Sequence, residues 1–383
     1  MNGIVRSTLA HGRGGSGVTS ILIGPGALSA AAELASSFVA DRTVFLISSR
    51  PLLELHGHRL APLCGRARRS EVLEIPDGEA AKAAPVLDGL WRRMALAGGK
   101  RDSRVLAFGG GSVGDLAGFA AGCFLRGIEF AQLPTTLLAQ VDASIGGKTG
   151  IDLPEGKNLV GLFHHPELVI ADTDVLKTLP RSELRSGLVE AIKMAALLDL
   201  DLFARIERDL PALLDGDAQA LGPVVAAAAA AKVEVVERDP AEEGDRRLLN
   251  FGHTLGHAIE AALGFAGLSH GEAVAYGLLF ALRLSRARGL PAPEGERLRG
   301  LLARLGLPPL PPLPPGVLLA GIARDKKAVE GGLAWVLAER LGQGRIDPRV
   351  PAAEVESELL EFLEDPWSDR PPGPSAGGPS SRL

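Results

Sequence analysis

The sequence predicts an α/β protein: an N-terminal Rossmann-like domain on a parallel sheet, then a mostly α-helical C-terminal domain. Three observations predict it. Short apolar strands alternate with helical stretches through the first half, which implies a sheet covered on both faces. A glycine-rich turn, GGGSVGD, directly follows one of those strands. After about residue 174 the strand pattern fades and helical spacing takes over. A chain of 383 residues is too long for one ordinary domain and comfortable for two. The expected division is 1–174 for the α/β domain and 175–365 for the helical one, with a disordered tail over 366–383.

Strands are read at 20–23 (SILI), 43–48 (TVFLIS), 104–108 (RVLAF) and 168–171 (LVIA). Each is a short apolar run, the signature of a strand buried on both faces. Residues 80–97 carry apolar side chains at helical spacing and read as a helix. In the second half, 176–198, 200–214, 222–237, 253–263 and 271–287 read as helices. The alanine run 226–231 has the highest helix propensity available. The segment LGLPPLPPLPPG, 305–316, must be a loop, because no helix tolerates that proline density. A helix over 316–324 and a short strand over 332–337 follow. From residue 366 the chain is rich in Pro, Gly and Ser, which predicts disorder.

Composition narrows the function. Hydrophobic residues make up 46%, enough for a large core. Net charge is −5 and the basic residues are scattered, so neither nucleic acid nor an anionic membrane is the expected partner. Two cysteines, Cys64 and Cys123, make neither a disulfide framework nor a cysteine zinc site, and fit a reduced cytoplasmic location. The N-terminus lacks the apolar core of a signal peptide. The longest apolar run, near 221–231, is too short to span a bilayer.

Three of the eight histidines, His253, His257 and His270, lie within eighteen residues. His253 and His257 stand one helical turn apart and share a face. A lone histidine would more often be a cap or a core residue. Three of them beside Gly252, Gly256 and Gly271 point instead to a divalent metal. Glu260, Glu272 or a carboxylate from elsewhere could complete such a site.

The turn Gly109–Asp115 fits G-x-G-x-x-G through Gly109, Gly111 and Gly114. Such a turn aims backbone N–H groups at a phosphate. Alone the pattern is weak, and it stands some hundred residues into the chain rather than at the first strand. VDASIGGKTG is not a P-loop, since Asp142 occupies the place of the first required glycine. It remains a glycine-rich turn presenting Lys148, with Lys157 and Asn158 shortly after. Lysines on glycine-flanked loops suit an anion. Glu190 and Lys193, three apart on one helix, would by themselves be an ordinary surface ion pair. EEGDRRLLNFGHTLGH concentrates Glu242, Arg246, Asn250, His253 and His257 in sixteen residues. That density is costly to bury unless it binds something. ARDKK adds Lys326 and Lys327.

Together these segments closely resemble the 3-dehydroquinate synthase family of sugar phosphate cyclases. The matching pieces are IPDGEAAK, GGGSVGDLAGFAAGCFLRG, QLPTTLLAQVDASIGGKTG, GKNLVG, LKTLPRSELRSGLVEAIK, RRLLNFGHTLGHAIE, HGEAVAYG and RDKK, in the family's order over roughly 20–345. The resemblance implies an NAD-binding α/β domain and a helical domain holding a divalent metal, zinc or cobalt. It implies conversion of 3-deoxy-D-arabino-heptulosonate 7-phosphate to 3-dehydroquinate and phosphate in the shikimate pathway. The route is transient oxidation, phosphate elimination, re-reduction, ring opening and intramolecular aldol closure.

By motif, the resemblance makes Glu190, His253 and His270 the metal ligands. It assigns His257, Lys148, Asn158 and Asn250 to the substrate phosphate, with one of Lys326 and Lys327. Arg126 would reach the phosphate of a neighbouring subunit, which implies a homodimer. Lys232 and Arg246 would engage the substrate carboxylate, and Lys193 and Asp142 its hydroxyls. Glu242 would be an acid-base or orienting group. For NAD, Glu79 and Lys82 fit the adenosine end, and Gly110, Gly111 and Asp115 fit the pyrophosphate and ribose. Thr135, Thr136, Lys157 and Asn158 fit the nicotinamide half.

Three positions depart from the family. Ser48-Ser49-Arg50 stands where an acid usually binds the adenine ribose, which predicts weaker NAD binding or an altered cofactor preference. Asp239-Pro240 replaces Asp-Glu, and Asp152 replaces a common Asn. The rival readings are another cyclase, such as 2-deoxy-scyllo-inosose synthase or a sedoheptulose 7-phosphate cyclase, a metal-dependent polyol dehydrogenase, and a non-catalytic homologue. Arg246, Asn250 and His257 together match dehydroquinate synthase rather than the other cyclases, and the dehydrogenase would not need Lys148, Lys193, Lys232 and Arg246 together. The third would be expected to have lost a metal ligand.

Overall fold

Seven strands form the main sheet of the computed structural model, which describes residues 4–11, 17–325 and 333–368. They are β1 (Val5–His11), β2 (Gly17–Gly24), β3 (Thr43–Ser49), β4 (Arg69–Ile75), β5 (Arg104–Gly109), β6 (Phe130–Pro134) and, after a hairpin of β7 (Lys148–Leu153) and β8 (Gly156–Phe163), β9 (Leu168–Asp172). The order is β1-β2-β9-β6-β5-β3-β4. Every neighbouring pair is parallel except β1–β2. Every residue of β3, β5, β6 and β9 is buried, as a doubly covered parallel sheet requires. The two edge strands, β1 and β4, are largely exposed.

The chain forms two compact units. The first contains residues 1–191 and 204–246, the second 192–203 and 247–383. The expected boundary at 174 therefore falls inside the first unit. One reason is the helix Ala218–Arg238, which packs on β1, β2 and the 139–143 segment and so stays with the sheet. This helix is long and apolar enough to cross a membrane by composition, but over half of it is buried in the protein. Its N-cap, Asp217, accepts from the Gln219 N–H at 2.8 Å.

The helix expected over 80–97 is shorter. A 3-10 turn at Gly78–Ala81 precedes an α-helix, Ala84–Leu96, whose first turn holds Pro85. Proline lacks the N–H that an earlier start would use, so the helix begins there. Lys82 consequently sits in a turn rather than on a helix face.

In the second unit the helices His253–Ala262 and His270–Ala287 lie against each other. Glycine makes this approach possible. A Cβ on Gly277 would fall 1.8 Å from the Gly252 carbonyl oxygen, and one on Gly256 would fall 3.1 Å from Val274 Cα. The strand expected at 332–337 is β10 (Leu333–Arg340), paired antiparallel with a strand the sequence reading missed, β11 (Gln343–Val350). Phe280 packs on Trp335 and Phe362, with ring centroids 5.6 and 5.5 Å away. The proline-rich segment is a loop, held where Tyr276 Oη–H donates to the Pro308 carbonyl at 2.6 Å. Trp367, within the stretch expected to be a disordered tail, is held in place, because its carbonyl accepts from Arg299 Nη1 at 2.8 Å. Residues 369–383 lie outside the described residues, as do Lys326 and Lys327.

Substituting Gly277→Ala should destabilise the protein by about 1–3 kcal/mol or more, because backbone must move to admit the methyl. Gly300→Ala, in the helix Ala292–Arg304 with open space around it, should gain about 0.5–1 kcal/mol. Denaturant melts of both variants measure the contrast. Equal effects would refute the packing argument.

Candidate active site

The first unit presents a glycine-rich turn at a strand end. β5 ends at Gly109, and the helix Gly111–Cys123 begins at once, with no side-chain cap on its first turn. Its N–H groups are thus available to an anion. A Cβ on Gly114 would lie 2.5 Å from Gln132 Oε1 on β6, so a larger residue there would have to push that buried amide aside. A Cβ on Gly110 would lie 3.0 Å from Thr136 Cγ2. Thr135 follows β6, and its N–H donates to the Gly109 carbonyl at 2.9 Å. Gly110, Gly111, Thr135 and Thr136 therefore come together at the carboxyl ends of β5 and β6. The connections from β5 and its other neighbour β3 leave in opposite directions, to β6 and to β4, and such a switch point is where open α/β sheets bind ligands.

Lys82 lies beside this turn and is 3% exposed. Its ammonium donates to Asp115 Oδ2 at 3.0 Å and to Asn158 Oδ1. Asp152 and Glu79 stand 3.6 and 3.8 Å away. Burial pulls the Lys82 pKa down, but Asp115, Glu79 and Asp152 outweigh it and leave it raised. Burial raises the Asp115 carboxyl to about 6 against the pull of Lys82. Glu79 accepts from Ser112 Oγ at 2.6 Å. Asp152, a departure from the family, accepts the Asn158 N–H at 2.8 Å and steadies that residue at φ 57°. Sequence reasoning assigned Asp152 no such part.

A second cluster in the same unit gathers five predicted residues. A π-helical turn, Ala139–Ala143, turns out Asp142, whose carboxylate and carbonyl both accept from Lys232. Lys148 pairs with Glu242. Arg246 is 2% exposed, and donates through Nη1 to Pro240 O at 2.8 Å and through Nη2 to Gly146 O at 3.0 Å. Gly146 is required there, at φ 106°, with Arg246 Nη2 only 2.4 Å from where a Cβ would be. The loop before Arg246 is organised by Asp239, which the sequence reading treated only as a departure. Its carboxylate accepts N–H groups of Glu243, Gly244 and Arg246 at 2.9, 2.7 and 3.0 Å. The Pro240 carbonyl is one of the Arg246 acceptors. An Asp followed by a Gly-containing polar turn was the available signal.

Arg126 is exposed on a loop where Leu125 and Arg126 have φ of 51° and 69°. Lys157 lies near the start of β8. Glu190 is 1% exposed, on the helix Arg181–Leu198. Gly187 lets that helix approach closely, since a Cβ there would fall 2.5 Å from the Leu138 nitrogen. Lys193, on the same helix, is 2% exposed. Both are buried, so neither is the surface residue that their spacing alone suggests.

The second unit holds the histidines. The ring of His253 lies 5.3 Å from that of His257 and 5.4 Å from that of His270. His253 Nδ1 is 3.2 Å from the Phe251 carbonyl, and His270 Nδ1 is 2.9 Å from Glu260 Oε2. These acceptors put the proton on Nδ1 and leave each Nε2 with a lone pair, the form a metal ligand needs. Burial, then the Lys193 ammonium and the other two rings, push the His253 pKa well below its ordinary value, so it stays neutral. The donor set fits a divalent metal of the zinc or cobalt kind.

Glu260 and Glu272 part company. His257, Glu260 and His270 are near enough to share an ion. Yet Glu260, 6% exposed, already accepts the His270 Nδ1–H, which makes it an orienting partner. Glu272 closes a capping box with Ser269 at the start of its helix, so its role is structural. His257 is exposed, and Asn250 ends the short helix Asp245–Asn250.

A doubly wound sheet with a glycine-rich turn, and a helical unit with paired histidines, match the fold of solved sugar phosphate cyclases. Two solved members match. A 2-epi-5-epi-valiolone synthase from Streptomyces hygroscopicus subsp. jinggangensis, with NAD+ and Zn2+ bound, is 30% identical at a TM-score of 0.81, covering 90% of this chain and 97% of its own. A 2-deoxy-scyllo-inosose synthase, complexed with carbaglucose-6-phosphate, NAD+ and Co2+, is 26% identical at a TM-score of 0.83, covering 94% and 99%. Within the class, the models for the 3-dehydroquinate synthase N-terminal and C-terminal regions match residues 72–186 and 187–328. The 3-dehydroquinate synthase of Xanthomonas axonopodis pv. citri is 46% identical over 354 residues, 90% of this chain and 94% of its own. That of Pelotomaculum thermopropionicum is 44% identical over 347 residues, 90% and 92%. The chain belongs to the 3-dehydroquinate synthase family.

Glu260→Gln should weaken binding of added Zn2+ by about 10–100-fold, the usual cost of losing a partner that orients a ligand. Competition with a chromogenic chelator reads the affinity without turnover. Unchanged affinity would mean that His270 is oriented by something else.

Proposed function

We propose that this chain converts 3-deoxy-D-arabino-heptulosonate 7-phosphate to 3-dehydroquinate and inorganic phosphate. The observation that carries the reading is its near-full-length kinship with 3-dehydroquinate synthases. Glu190, His253 and His270 would hold the divalent metal. Glu79, Lys82, Gly110, Gly111, Asp115, Thr135, Thr136, Lys157 and Asn158 would hold NAD. When bound, NAD supplies a reversible hydride acceptor and the metal a Lewis acid at the hydroxyl that is oxidised.

The chain's own groups then orient a substrate bearing a phosphate, a carboxylate and several hydroxyls. Lys148, Asn158, Asn250 and His257 would take the phosphate, and Lys326 or Lys327 would add charge to it. Glu242 sets the position of Lys148 through their ion pair. Arg246 and Lys232 would take the carboxylate. The Arg246 guanidinium is held by two backbone carbonyls, so it meets a planar anion without reorganising. This arrangement favours the present reading over an inosose-type cyclase, whose substrate has no carboxylate. Lys193 and Asp142 would hold hydroxyls. Two unpaired cysteines support a cytoplasmic setting.

Product analysis by NMR is the direct test, offering the heptulosonate phosphate, sedoheptulose 7-phosphate and glucose 6-phosphate in parallel. 3-Dehydroquinate from the first alone, lost on chelation and regained with Zn2+, is expected. Turnover that survives full metal removal would refute the metal reading.

We also propose a homodimer in which Arg126 serves the partner's phosphate site. Its support is the exposed loop position of Arg126 and the apolar surface of the β7–β8 hairpin, where Leu159 and Phe163 are 59% and 52% exposed. Arg126→Ala and His270→Ala should each abolish turnover. Co-expressed, they should recover about a quarter of the activity, because half of the sites in the mixed dimers are intact. No recovery would place Arg126 in its own subunit's site.

A further inference from the structure

A cavity of about 480 Å³ lies at the amino ends of the main-sheet strands, away from the carboxyl ends that carry the glycine turn. Small-molecule sites typically span about 300–1,000 Å³. The sheet order places its charged residues. Arg104 opens β5, Glu129 directly precedes β6 and Glu167 directly precedes β9, and these three strands are consecutive neighbours. β2 extends the row, where Ser20 pairs with Leu168. The six residues of β5, at about 3.3 Å each, separate this end from the glycine turn. None of the groups assigned above to metal, nucleotide or substrate lines the cavity.

The lining combines apolar walls with charge of both signs. Leu22 and Leu168 are buried, and Phe38 adds an aromatic face. Arg104, itself buried, is already engaged. Its Nη2 pairs with Glu129 Oε2 at 2.7 Å, and its Nη1 donates to the Asp102 and Ser103 carbonyls at 3.0 and 3.2 Å. Its guanidinium lies over the Phe38 ring, 5.4 Å from the centroid. The Glu167 carboxylate, by contrast, has no hydrogen-bond or ion-pair partner among the described residues. Partial burial and the nearby Glu129 charge raise its pKa against the pull of Arg104. A carboxylate so placed is stabilised by any cation that comes beside it. Arg6, opposite Leu22 in the β1–β2 register, brings a second guanidinium to the lining. An inorganic cation would meet only the two acids. A zwitterion with an apolar body also meets Arg6 and the apolar walls.

We propose that this cavity binds an α-amino acid with an apolar side chain, at a site separate from the candidate active site. Glu167 and Glu129 take the ammonium, Arg6 the carboxylate, and Leu22, Phe38 and Leu168 the side chain. Isothermal titration of L-leucine, L-valine and L-phenylalanine into the full chain tests it. At least one should bind with a Kd of about 1 mM or tighter. Removing either charge of the ligand should weaken binding about tenfold or more, the cost of one charge-assisted contact. For L-leucine the comparison is with 3-methylbutylamine and 4-methylpentanoate. Glu167→Gln and Arg6→Ala should each weaken the amino acid by about tenfold. Both residues are exposed, and thermal melts confirm that the variants fold. Saturating NAD+ should leave the affinity unchanged. The inference is overturned if none of the three amino acids reaches that affinity, if the uncharged-end analogues bind equally well, or if either variant binds like the wild type. Competition with NAD+ overturns it too, since the amino acid would then sit at the glycine turn. None of these results bears on the dehydroquinate reading, which rests on other residues.

Discussion

Buried charge must be compensated, and much of this molecule is organised around that requirement. Lys82, Lys193, Lys232, Arg246, Glu190 and Glu260 are all less than a tenth exposed. Taking each out of water costs on the order of several kcal/mol unless opposite charge or hydrogen bonds replace the lost hydration. Lys82 meets Asp115, Asp152 and Glu79; Lys232 meets Asp142; Arg246 meets two carbonyls. A protein selected for stability alone would fill these places with apolar side chains. Retaining so many fixed charges makes sense where a polyanionic substrate and a dinucleotide must be held without reorganisation.

Glycine supplies the geometry that the charges need. Gly146 admits the Arg246 guanidinium, Gly114 leaves room for the Gln132 amide of β6 under the helix Gly111–Cys123, and Gly277 lets the two histidine-bearing helices touch. Each acts by removing a Cβ from a place already filled. The orienting acids then act at one further remove: Asp239 shapes the loop before Arg246, and Glu260 sets the tautomer of His270. None of these need meet a ligand, yet each decides where a group that meets one will point.

Particular elements show how far the residues alone could be read. β3, β5 and β9 were legible because an unbroken apolar run has no stable place but a doubly covered sheet. β1, β4 and β11 were not, because their exposed positions carry polar residues with no distinctive spacing. The helix Ala84–Leu96 was placed too early because apolar spacing continues across Pro85. The division into units was misjudged for another reason. The helix Ala218–Arg238 reads like its helical neighbours in sequence, but packs on the sheet. Among site residues, the histidines, the lysines and Arg246 were visible as clusters. Lys326 and Lys327 lie outside the described residues.

By itself, the sequence determined the fold class and the family, and it offered the groups proposed to carry the chemistry. Those follow from apolar runs, glycine spacing and residue types, which are local properties of the chain. The tertiary structure alone decided which acid serves which partner. Glu260 went to His270 and Glu272 to the Ser269 cap, while Asp77 crossed from β4 to Ser49 at the end of β3. A hydrogen bond acts over about 3 Å, and which atoms come that close depends on strand register and helix packing between segments far apart in the chain.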